Sequence, residues 1–144
     1  MELSKKKIIA SLLNKQDNIK FAFLFGSESK NKKRYGSDID IAIYFDREPK
    51  LTEIGDLVIK LESTMKNKID LVQLNNLDKS NPSLAHSILS SGIPLCIKDE
   101  ASLKEFKRAV ILYYLDFKFA LNLFNDAFNK RLSENKFAVF ENDD

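Results

Sequence analysis

The chain has 144 residues, enough for one domain with a real core and little left for a second. It is 44% hydrophobic and 31% charged, the balance of a soluble globular protein, and its net charge of +2 is too slight to mark a nucleic-acid binder, so no direct contact with nucleic acid is expected. The single cysteine, Cys96 between Leu95 and Ile97, excludes an internal disulfide and reads as a small buried hydrophobe in a reducing compartment.

Near the N-terminus Ile8, Ile9, Leu12 and Leu13 recur at helical spacing with Lys5, Lys6 and Lys7 on the other side, which predicts an amphipathic helix over residues 3–14. The apolar run is too short and too polar for a signal peptide or a membrane span, so a cytoplasmic protein with no membrane partner is expected.

Ile19 and the run Phe21 to Phe25 then make a buried strand that stops at Gly26-Ser27, a break that requires no bulky side chain. The polar residues Glu28 to Arg34 have room for about two helical turns before Gly36-Ser37. From Asp38 to Phe45 a second strand alternates Asp, Ile, Asp, Ile. Side chains at i and i+2 of a strand point the same way, so Asp38 and Asp40 converge while Ile39, Ile41 and Ile43 face the opposite side. Like charges that close repel unless a cation lies between them. The usual partner in phosphoryl or nucleotidyl transfer is a pair of magnesium ions roughly 3.5–4 Å apart, and magnesium needs only two or three aspartates because it keeps waters and substrate phosphates as ligands.

Pro49 breaks the chain, and Leu51, Ile54, Leu57, Val58, Leu61 and Met65 predict a second amphipathic helix. Residues 69–74 form a third strand that carries one acid, Asp70; buried and unpaired it would cost several kcal/mol, so it either sits at a wet strand end or meets a cation. Residues 75–81 read as a polar connector and 83–90 as a short helix closed by Gly92 in a left-handed cap. Residues 93–97 make a fourth strand that Pro94 assigns to an edge. His86, the one histidine, has no second histidine or cysteine nearby and is given no chemical role. From Ala101 to Leu132 the pattern is helical throughout, as one helix or two, with apolar residues on more than one face; one face suits the domain and another suits a partner protein or a second copy. The acidic tail, residues 137–144, is expected to fray.

Gly26-Ser27, a ten-residue spacer and Asp38-Ile39-Asp40, each on the end of an apolar strand, resemble the signature of the DNA polymerase β-like nucleotidyltransferases, and the short chain is similar to their minimal nucleotidyltransferase branch. The resemblance implies an α/β fold: a small mixed β-sheet with flanking helices over residues 1–98, and a helical C-terminal extension over 99–144. It implies that Asp38, Asp40 and Asp70 are catalytic and bind Mg2+, with Asp70 as the third carboxylate on a following strand. It also implies that Gly26 and Ser27 bind the nucleotide, ATP being the substrate. Ser27 also suits a plain N-cap, and the two roles are compatible. Lys30, Lys32, Lys33 and Arg34 suit either triphosphate steering or a solvated loop. Members of that branch often act as antitoxins to HEPN-domain ribonucleases, so the implied activity is transfer of AMP to a tyrosine of a HEPN-domain toxin. The rival expectations are an enzyme that modifies a small molecule such as an antibiotic, and an antitoxin that acts by contact alone.

Overall fold

The computed structural model describes residues 3–26 and 38–142, with side chains through residue 134. Four strands, β1 (Ile19–Phe25), β2 (Ile39–Phe45), β3 (Ile69–Gln73) and β4 (Ile93–Ile97), form one sheet in the order β3-β2-β1-β4. β1 pairs antiparallel with β2 and with β4, whereas β2 and β3 are parallel. A parallel pair needs a crossover, and here it is the helix α2 (Leu51–Met65). Pro94 lies on the edge strand β4, opposite Phe23 and beside a register shift, where a missing N–H is tolerated.

The alternation read from the sequence sorts the sheet into two apolar faces. Ala22 and Leu24 of β1, Ile39, Ile41, Ile43 and Phe45 of β2, and Ile69 of β3 pack with Ile9 and Leu13 of α1 (Leu3–Asn14) and with Leu57 and Leu61 of α2. On the opposite face Phe21, Phe23 and Ala42 pack with Ala85 and Ile88 of the short helix over residues 82–91, and with Leu103, Phe106 and Val110 of the C-terminal helix. Each fully buried Phe, Ile or Leu contributes about 1.5–3 kcal/mol, so these paired layers dominate the domain's stability. Phe21 stacks on Tyr44 at 4.8 Å and meets Phe106 at 5.7 Å, which seats the C-terminal helix on the sheet.

The polar connector after β3 is more ordered than its composition suggests. Asn75 uses its side-chain amide as one more rung of the ladder, accepting from the Phe45 N–H and donating to the Phe45 carbonyl, both at 2.9 Å. Asn76 then takes a left-handed turn, φ 64°, into the single helical turn α3 (Leu77–Ser80). The next helix, α4 (Pro82–Ser91), opens on Asn81, whose side chain accepts from the Leu84 N–H, with Pro82 in the first turn where no N–H is needed.

The expected left-handed cap at Gly92 is not formed: its φ is −72° and its ψ 156°, extended backbone open to any residue. Glycine is required there by space, since a Cβ would stand 2.3 Å from the Ile88 carbonyl and 3.2 Å from that of Leu24. The C-terminal helix is one continuous element, α5 (Glu100–Asn142). Asp99 caps it, accepting from the Ser102 N–H and hydroxyl at 3.1 and 2.8 Å, and Lys20 of β1 donates to Ser102 at 3.0 Å. No described helix is long and apolar enough to cross a membrane.

Candidate active site

β1 ends where β2 and β3 begin, and the expected acids gather at that end of the sheet. In the ladder Phe25 stands opposite Asp40, and Asp40 opposite Asp70. Directly paired residues of adjacent strands point to the same face, with strands about 4.8 Å apart. Asp40 and Asp70 are thus neighbours on the face that carries Ala42, Tyr44 and Val72 farther along. Asp38 comes one step before the ladder, where the Ile39 N–H donates to the Lys68 carbonyl at 2.9 Å.

Asp38 and Asp40 are half-buried, and Asp70 is exposed. Of the two alternatives for Asp70, the wet strand end is therefore met, and its position beside Asp40 is added to it. Among the described residues no group of three or more His, Cys, Asp or Glu side chains is drawn together closely enough to hold a metal ion. The arrangement consists of an adjacent pair, Asp40 and Asp70, with Asp38 leading into it. An all-carboxylate donor set open to solvent suits a hard cation that retains its waters.

Gly26 has a φ of +76°, a conformation that costs other L-residues about 1–2 kcal/mol. A Cβ built on it would fall 2.2 Å from Asp40 Oδ2. The glycine expected to touch a nucleotide is hence also the residue that leaves room for the Asp40 carboxylate. Sequence spacing alone did not reveal that contact. Ser27, the short helix expected over residues 28–34 and the basic residues Lys30, Lys32, Lys33 and Arg34 lie outside the described residues.

His86 is accounted for by packing. Its ring lies flat on that of Tyr114, centroids 3.9 Å apart and planes 4° from parallel, which fastens α4 to α5. Cys96 is buried as expected; its thiol donates to Asn14 Oδ1 at 3.0 Å, and burial pushes its pKa up, so it is a poor nucleophile. A cavity of about 620 Å³, bordered by Lys20, Tyr44, Arg108 and Leu112, opens at the other end of the sheet, away from the aspartates. Of the cations that border it, Lys20 is already held by Ser102 and by Asp99 at 3.6 Å.

A four-stranded mixed sheet with helices on both faces, bearing carboxylates on adjacent strands beside a positive-φ glycine, defines a small nucleotidyltransferase-like α/β domain. Residues 6–101 match the family described as polymerase beta, nucleotidyltransferase, and the chain belongs to that family. It is 32% identical over 89 residues to a protein of Methanocaldococcus jannaschii assigned as a protein adenylyltransferase, a match that covers 62% of this chain and 90% of that one. Among solved structures it is similar to a chain of a toxin-antitoxin crystallised with AMP-PNP, with a TM-score of 0.67 and 23% identity over 88% of this chain and 99% of the other. It is equally similar, at TM-score 0.67 and 23% identity over 88% and 98%, to a chain from the complex of tri-AMPylated Shewanella oneidensis HEPN toxin with MNT antitoxin. The chain is accordingly a nucleotidyltransferase, with the mixed α/β fold and helical extension expected of it.

Proposed function

We propose that this nucleotidyltransferase is an antitoxin that transfers AMP from ATP to a tyrosine hydroxyl of a HEPN-domain ribonuclease toxin and so neutralises it. The observation that carries the reading is the Asp40–Asp70 adjacency at the mouth of the sheet, beside a glycine whose missing Cβ accommodates the Asp40 carboxylate. The adenylyltransferase name of the archaeal relative and the AMPylated HEPN toxin of the similar complex support the choice of nucleotide and acceptor.

Asp38, Asp40 and Asp70 would hold magnesium, which when bound neutralises charge on the triphosphate oxygens. Gly26 and Ser27 would present backbone N–H groups and a hydroxyl to the triphosphate. Asp70, the most exposed of the three, would accept the proton of the incoming tyrosine hydroxyl, a role that requires hydrogen-bond reach of it. The tyrosine oxygen then bonds to the α-phosphorus, the bond to the bridging oxygen breaks, and pyrophosphate leaves. Attached AMP would silence a ribonuclease because its negative phosphate repels an RNA backbone and its adenosine occupies space the substrate needs.

The test incubates the protein, magnesium and purified toxin with ATP labelled at the α-phosphate in one tube and at the γ-phosphate in another. Label from the α-position alone supports the proposal. Transfer of γ-label would mean a kinase, and tight inhibition without label would mean an antitoxin acting by contact.

A further inference from the structure

The distal half of α5 stands clear of the domain: every residue from 115 to 134 is exposed. Its sequence is nonetheless far from polar. The line of side chains that seats the helix on the sheet, ending at Val110, continues as Tyr114, Phe117, Leu121, Phe124 and Phe128, in steps of four, three, four, three and four. That alternation keeps the side chains on one side of an α-helix and is the spacing by which one helix receives the knobs of another. Phe117, Phe124 and Phe128 are 45%, 64% and 49% exposed, and the last two stack with rings 6.1 Å apart, forming a continuous apolar ridge.

The border of this ridge is basic. At about 100° per residue, Lys118 and Arg131 fall within about 80° of its centre, whereas Asp116 and Asp126 lie more than about 100° away. A second copy laid on the ridge, parallel or antiparallel, would bring basic borders together, which disfavours self-pairing. A membrane surface is disfavoured by the other side of the helix, where Leu112, Phe119 and Leu123 are 56%, 66% and 55% exposed; an interfacial helix needs a strongly polar back.

We infer that the distal half of α5 docks an amphipathic helix of a partner protein whose own apolar seam is bordered by acidic residues. This deepens the antitoxin reading by giving the chemistry of the surface that would hold the toxin, and depends on that reading only for the toxin's identity. Two synthetic helical peptides test it, identical in their leucine seam but bordered by Glu in one and Lys in the other, titrated into the full chain by calorimetry. The Glu-bordered peptide should bind about tenfold more tightly at low salt, an advantage that shrinks as salt is added. The double variant Lys118→Glu, Arg131→Glu should reverse the order, and Phe124→Glu should weaken both peptides at least tenfold with an unchanged circular dichroism spectrum. Equal affinity for the two peptides would overturn the inference, as would a dimer of the chain in sedimentation that Phe124→Glu dissociates, or binding to anionic phospholipid vesicles that the same substitution abolishes. No nucleotide is present in these titrations, so their failure leaves AMP transfer standing, and a failure of transfer leaves the docking preference standing.

Discussion

Asp40 is the residue on which the proposed chemistry turns, because of the three expected aspartates it is the one with Gly26 on one side and Asp70 on the other. Replacing it by Asn keeps the shape and removes one of the neighbouring negative charges. Asp40→Asn should therefore abolish nucleotide transfer while its melting temperature without metal stays equal to or slightly above the parent's. Transfer at the parental rate would refute the assignment. Gly26→Ala tests the same corner from the backbone: the new methyl meets the Asp40 carboxylate, and the residue keeps a φ that alanine resists. We expect a loss of about 1–2 kcal/mol in denaturant unfolding together with a large fall in transfer rate. Unchanged activity would show that the carboxylate can move without consequence. Gly26 and the Asp-x-Asp pattern pointed to this corner in the sequence, since each stands at a strand end, but the pairing of Asp40 with Asp70 comes from the register of β2 against β3. The pattern could not show that glycine and aspartate touch, because that depends on the register of β1 against β2.

Among the elements, the strands and amphipathic helices were the most legible. Their apolar periods are dictated by burial, and the bounds of α1 and α2 fall where Asn14, Pro49 and Met65 place them. The connector after β3 was not legible, since Asn75 acts through a side-chain amide that imitates backbone. Gly92 misled for a related reason: glycine is favoured both by a left-handed cap and by a close approach to carbonyls, and only the fold distinguishes the two. The start of α5 allows a sharper prediction. Hydrogen bonds from the Ser102 N–H and hydroxyl, followed by the weaker attraction of Lys20, hold the Asp99 carboxyl below its ordinary pKa. A depressed folded pKa means that the contribution is present above the ordinary value of 3.8 and is lost as pH falls through the folded value. Asp99→Ala should lower the melting temperature by about 3 °C at neutral pH, and the difference from the parent should vanish in strong acid. A difference that persists there would assign the effect to packing.

For the whole molecule, the sheet carries the expected acids at one end and α5 carries an apolar ridge away from the domain. The sequence revealed that α5 is apolar on more than one face, because helical spacing is a local property. Which face meets the domain was decided by Phe21 and Tyr44, far away in the chain, and by the stack of His86 on Tyr114. Phe117 is therefore the exposed member of the aromatic pair Tyr114 and Phe117, and Phe117→Glu should weaken toxin binding in calorimetry without lowering the melting temperature; unchanged affinity would remove this ridge from the interface. The central claim, AMP transfer to a toxin tyrosine through the paired aspartates, is tested most directly by the intact mass of the purified toxin after incubation with this protein, ATP and magnesium, followed by peptide mapping. A gain of whole AMP units located on tyrosine, absent when Asp38→Ala or Asp40→Asn replaces the parent, is the predicted result. An unmodified toxin, or AMP units added equally by the two variants, would contradict it.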